Sequence, residues 1–155
     1  MRLARELRRA LPNEVRLILN DRADLALAAN ADGIHVGQDD LPPDAVRKII
    51  GPSRLLGVST HNPQQVGIAD QTNADYVAIG PVFATLSKDK LDPLIGLEGV
   101  RQARALTKKP LVAIGGITLE NCRSVINSGA DSVAVIGAIL ENPGKTTEQF
   151  LLQMR

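Results

Sequence analysis

Tryptophan is absent from this chain, and Tyr76, Phe83 and Phe150 are its only aromatic residues in 155 positions. So few rings leave almost nothing to stack on nucleic-acid bases. Eighteen Lys and Arg against seventeen Asp and Glu, a formal charge of +1, supply no basic face either. A nucleic-acid partner is excluded on both counts. Cys122 stands alone, which rules out an intrachain disulfide, and no Cys/His cluster has zinc spacing. That usage suits a reducing cytoplasm. No apolar run reaches the length that spans a bilayer, so no membrane partner is expected. What is present, 44% hydrophobic and 23% charged residues, is the composition of an ordinary globular protein.

The length predicts a single domain over residues 1–155. Its start is arginine-rich, but Leu3, Leu7, Ala10 and Leu11 fall at helical spacing and Pro12-Asn13 closes the run. The pattern predicts a surface helix rather than a transit peptide. From there, short apolar runs alternate with helical spacing. Strands are expected over 15–19, 33–36, 55–58, 76–79, 111–114 and 132–136, and helices over 24–30, 42–50, 63–71, 97–106, 119–128 and 147–154. In the helix over 24–30, Leu25, Ala28 and Ala29 are expected to face inward. The strands are Val/Ile/Leu/Ala runs rather than alternations, as in parallel sheets covered on both faces. A closed barrel of this type has eight strands, so six leave two open edges, and self-association through them is expected. Such a chain reads as one from which two leading strands are missing.

Asn30-Ala31-Asp32, Asn73-Ala74-Asp75 and Gly129-Ala130-Asp131 each stand between a helix and the next strand. The three aspartates are expected to close turns at the end of the strands away from the chemistry. That chemistry gathers at the opposite tips. Asn20-Asp21 and Gln38-Asp39-Asp40 put carboxylates on neighbouring tips, a donor set suited to a hard divalent cation. Helix capping and turn formation are the plainer reading of the same acids. Gly80-Pro81 opens a polar loop carrying Thr85, Ser87 and Lys88, hydroxyls and one point charge suited to a leaving diphosphate. Gly115-Gly116 and Gly137 lie in the last two strand-to-helix turns, where barrels commonly bind phosphate through backbone amides. His35 reads as a packed side chain with one hydrogen bond. His61 follows the Ser59 tip, where acid/base work is conceivable. Ser59 lacks a nucleophile elbow and reads as a hydrogen-bonding group toward substrate.

Leu19-Asn20-Asp21-Arg22, Gly33-Ile34-His35-Val36-Gly37-Gln38-Asp39-Asp40, Gly57-Val58-Ser59-Thr60-His61, Gly80-Pro81-Val82-Phe83 with Thr85-x-Ser87-Lys88, and Ile114-Gly115-Gly116-Ile117 together resemble the thiamine phosphate synthase family, in order and spacing. The resemblance covers essentially the whole chain. It implies an α/β fold of the (β/α)8 TIM-barrel type, here six parallel strands of an incomplete barrel. The implied activity joins hydroxymethylpyrimidine diphosphate to a carboxylated thiazole phosphate, giving thiamine phosphate, diphosphate and carbon dioxide. By position, Asp21 and Asp40 would hold Mg²⁺, while Asn20, Ser59 and Lys88 would contact the pyrimidine diphosphate, with Lys88 and Ser59 as the catalytic pair. Thr85, Ser87, Gly116, Ile136 and Gly137 would hold the thiazole phosphate. The family's two leading strand-helix units, with a Gln-x-Arg-x-Lys-like segment that grips the diphosphate, have no counterpart here, and Ala84 and Ser87 replace a common Pro and Thr. A binding module for thiazole phosphate or thiamine phosphate, and a thiazole tautomerase, are the alternatives; Asp40 argues against the latter.

Overall fold

Strands and helices alternate from the first helix to the last, as the apolar runs predict. The computed structural model describes residues 1–85 and 92–154. Strand order follows chain order, β1 to β6, and the pairings are parallel. The chain folds as two compact units, one of Met1–Ser59 with Gln71–Tyr76, the other of Thr60–Asp70 with Val77 onward.

The first unit runs α1 (Arg2–Ala10), β1 (Ile18–Asn20), α2 (Ala23–Ala28), β2 (Gly33–Val36), α3 (Pro43–Ile50) and β3 (Leu55–Thr60) as far as Ser59. Its core is Ile34, Val36, Val46 and Leu56, all fully buried. Proline opens α3, where its missing N–H costs nothing, and Gly51 stops it at a positive φ of 77°. β1 is shorter than the expected 15–19, because the Leu17 backbone is engaged by the Asp32 turn rather than by a strand ladder. In α1 the leucines are not the buried stripe: Leu3 is 67% exposed and Leu7 41%, while Ala4 is buried. In α2, Ala26 and Ala29 are buried and Ala28 faces out, since the helix ends at Ala28 and the chain turns through Asn30 at φ 51°.

The second unit holds α4 (Pro63–Asp70), most of β4 (Tyr76–Ile79), α5 (Gly96–Leu106), β5 (Leu111–Ile114), α6 (Leu119–Asn127), β6 (Ser132–Ala134), a 3-10 turn at Gly137–Ile139 and α7 (Pro143–Gln153). Val66, Val77, Val100, Leu111, Ala113, Cys122 and Val125 are fully buried there. β6 stops two residues before the expected 136, where Ile136 turns out of the ladder into the 3-10 turn. α7 starts at Pro143, ahead of the expected 147, because proline suits a first helical turn.

The repeated aspartates close their turns in one shared way. Asp32, Asp75 and Asp131 each donate a backbone N–H to a carbonyl at, or just before, the start of the neighbouring strand, at Leu17, Leu56 and Leu111. Each carboxylate accepts the N–H of that same residue, at 2.8, 2.7 and 2.7 Å. Each is also paired with an arginine near the end of a helix: Arg8 at 2.5 Å, Arg47 at 2.6 Å and Arg104 at 2.8 Å. The same guanidinium groups cover the carbonyls that follow their helices, those of Leu11 and Pro12, of Gly51, and of Thr107 and Lys109. Carbonyls freed at a helix end need such donors.

Candidate active site

In the first unit, parallel pairing sets Asn20 opposite His35 and His35 opposite Gly57, so the exits of β1, β2 and β3 are adjacent. Asp21 leaves β1 in the left-handed region, at φ 61°, a conformation aspartate tolerates. Its N–H is donated to the His35 carbonyl at 2.8 Å. Asn20 Nδ2 donates to Asp21 Oδ1 at 2.7 Å, and the Gly37 N–H to Asp40 Oδ2 at 2.7 Å. Partial desolvation raises the Asp21 pKa, and Asp40 raises it further through a shared proton and like-charge repulsion, against the Asn20 bond that lowers it. Asp21 and Asp40, expected on neighbouring tips, therefore do face one another. Two hard oxygen donors in mutual repulsion fit a divalent cation.

Ser59 joins them from β3. His35 Nε2 lies 2.7 Å from Ser59 Oγ, and Gln38 Nε2 donates to the Ser59 carbonyl at 2.5 Å. His35 makes two hydrogen bonds, one more than expected, the second from Nδ1 to the Tyr76 hydroxyl at 3.0 Å. The two rings are tilted by 32° with centroids 5.5 Å apart. Burial pushes the His35 pKa down, opposed by the Asp40 charge, and burial pushes the Tyr76 phenol up to about 12. Sequence reading missed Tyr76 altogether; Gly57, two residues before Ser59 on the same strand, is the signal that finds it.

In the second unit the exits of β4 and β5 are stitched together. The Val82 N–H donates to the Ile114 carbonyl at 2.9 Å and the Phe83 N–H to the Gly115 carbonyl at 3.0 Å. Gly115 and Gly116 both have positive φ, 99° and 61°. A side chain at Gly116 would strike the Ala84 carbonyl and Phe83, so this turn lies against the segment that leads into Thr85. Asn121 locks the turn by donating to the Gly116 carbonyl at 3.0 Å and accepting the Thr118 N–H at 2.9 Å. Ile136, 58% exposed, and Gly137 leave the adjacent β6, and nothing crowds the Cβ position of Gly137. Ser87 and Lys88 lie outside the described residues. His61 faces Gly80: Nδ1 donates to its carbonyl at 2.7 Å and lies 3.6 Å from Asp92 Oδ2.

A cavity of about 560 Å³ in the first unit is lined by Arg8, Arg16, Asp32 and Arg54 among others. It surrounds the Arg8–Asp32 pair at the far end of the strands, and the strand exits take no part in it.

A family model described as thiamine monophosphate synthase matches residues 1–139. The chain belongs to that family. A thiamine-phosphate synthase of Koribacter versatilis is 62% identical over 148 residues, 96% of this chain and 70% of that one. One of Chlorobium phaeovibrioides is 49% identical over 81% of this chain and 60% of its own length. The thiamine phosphate pyrophosphorylase structure from Pyrococcus furiosus superposes on 97% of this chain and 71% of its own with a TM-score of 0.85 and 36% identity. This chain thus spans between three-fifths and somewhat under three-quarters of these relatives. A phosphoribosylanthranilate isomerase from Pyrococcus furiosus, 19% identical with a TM-score of 0.69, shares the fold alone. The fold is that of a (β/α)8-type barrel, represented here by six parallel strands and their helices. Among the described residues no helix is long and apolar enough to cross a membrane.

Proposed function

We propose that this member of the thiamine monophosphate synthase family condenses hydroxymethylpyrimidine diphosphate with carboxythiazole phosphate, releasing diphosphate and carbon dioxide and forming thiamine phosphate. The observation that carries the reading is the interaction of Asp21 with Asp40 at the exits of β1 and β2, with Ser59 of the next strand held by His35, in a chain 62% identical to a thiamine-phosphate synthase. Asp21 and Asp40 would hold Mg²⁺, which when bound supplies positive charge for the departing diphosphate. Asn20 and Ser59 would orient the pyrimidine diphosphate, and Lys88 would add a second positive charge where negative charge develops. The methylene carbon–oxygen bond breaks with its electron pair leaving on the diphosphate, and the thiazole nitrogen then bonds to that carbon. The carboxylate departs as carbon dioxide, leaving its bonding pair on the thiazole ring carbon, which takes a proton from water. Thr85, Ser87, the Gly116 turn, Ile136 and Gly137 would hold the thiazole phosphate through hydroxyls and backbone amides. The lone cysteine, buried in the core, suits a cytoplasmic setting.

The test is product formation by the purified chain with both reactants and Mg²⁺, followed by chromatography of thiamine phosphate. Turnover that stops with a chelator and returns with added Mg²⁺ is the expected result. Binding of thiazole phosphate without turnover would make this chain a binding module instead, and isomerisation of the thiazole without pyrimidine diphosphate would make it a tautomerase.

A further inference from the structure

We propose that Tyr76 and His35 form a relay that fixes the polarity of the Ser59 hydroxyl, setting it as a hydrogen-bond donor toward an anionic substrate oxygen. The inference rests on the reading above, in which Ser59 meets the pyrimidine diphosphate. A neutral imidazole carries one N–H and one lone pair, so its two neighbours cannot both be donors or both acceptors. His35 Nδ1 faces the Tyr76 hydroxyl at 3.0 Å and Nε2 faces Ser59 Oγ at 2.7 Å. If the phenol donates to Nδ1, the ring proton sits on Nε2 and is donated to Oγ. The hydrogen of Ser59 is then released to point away from His35. In the reverse arrangement Nδ1–H donates to the phenol and the spare hydroxyl hydrogen is the phenol's; in the first arrangement it belongs to Ser59. Burial desolvates the phenol, whereas Ser59 stands at the exit of β3 where solvent or a substrate oxygen can accept its hydrogen, so the first arrangement prevails.

A second feature shows that the contact is built. Gly57 lies opposite His35 in the strand register, and any Cβ there would overlap Tyr76 Cζ, its hydroxyl and His35 Nδ1. The strand is kept bare where phenol and imidazole meet. Gln38 fixes the serine from its other side by holding the Ser59 carbonyl at 2.5 Å, which leaves rotation of the hydroxyl as the freedom that His35 removes. Tyr76 and His35 touch Ser59 or each other, and are positioning residues.

The decisive measurement is long-range proton–nitrogen NMR of the histidine rings in the full ¹⁵N-labelled chain at neutral pH. Two histidines are present, and His61→Gln assigns them. The expected spectrum has His35 protonated on Nε2 with a pyridine-like Nδ1, and Tyr76→Phe abolishes that preference. A ring protonated on Nδ1, or an even mixture of tautomers, in the unaltered chain overturns the proposal. In turnover, Tyr76→Phe is expected to lower kcat about ten-fold, the size of one hydrogen bond, with KM little changed. Combined with Ser59→Ala it lowers kcat no further than Ser59→Ala does alone; independent, multiplying losses would overturn the relay. A chain that makes no thiamine phosphate under any condition removes the synthase reading, while the ring-nitrogen shifts still decide the tautomer. The spectrum of the unaltered chain needs no variant to fold.

Discussion

Gly57 shows at the scale of one residue how an absent side chain carries information. Its neighbours on β3, Leu56 and Val58, are buried apolar residues of the usual kind, and glycine is a poor strand former. Its purpose lies across the sheet, where Tyr76 and His35 occupy the space a methyl group would need. Gly57→Ala is therefore expected to destabilise the first unit by about 1–3 kcal/mol, the usual cost of overpacking, measured as a shift of the urea midpoint at constant slope. The same substitution should loosen the His35 ring. Asp21 and Asp40 were readable as candidates from their types and positions. Tyr76 was not, because a lone tyrosine at the start of an apolar strand has no partner until the strands are paired.

At the scale of elements, the recurring small-Ala-Asp turn was visible in the sequence and its place at the far end of the strands was correctly inferred. The arginine that completes each turn was not. Arg8, Arg47 and Arg104 lie 24, 28 and 27 positions before their aspartates, beyond any local pattern, and only folding brings them together. Arg47 is 16% exposed and serves four acceptors, the carbonyls of Gly51, Arg54 and Asn73 and the Asp75 carboxylate. Arg47→Ala leaves these groups without a donor, and is expected to cost about 2–4 kcal/mol by denaturant unfolding. Arg47→Lys should recover little of the loss, since one ammonium cannot span that fan of acceptors. Element boundaries went astray where side chains or turns took over from the ladder: at Leu17, claimed by Asp32, and at Ile136, which turns into a 3-10 helix.

For the whole molecule, acid stability should follow the carboxylates that are held ionised. The Leu17 N–H, then the Arg8 and Arg16 charges, keep Asp32 below its ordinary pKa, and Arg22 draws exposed Asp24 down to about 2. A lowered folded-state pKa gives stability that is complete above the unfolded value, near pH 4, and lost as pH falls through the folded one. Thermal melts should accordingly be insensitive to this term at neutral pH and decline below about pH 4, and Asp32→Asn should flatten that decline while lowering the neutral-pH midpoint. By itself the sequence determined the alternation of strands and helices, the end of the strands at which the candidate site residues gather and the family, because these depend on residue types at short, regular spacing. The tertiary structure alone decided that Asp21 meets Asp40, that His35 joins Ser59 to Tyr76 and that three helix-end arginines clamp three distant turns. Those are encounters between residues on different strands and helices, and their geometry exists only once parallel pairing has set the register.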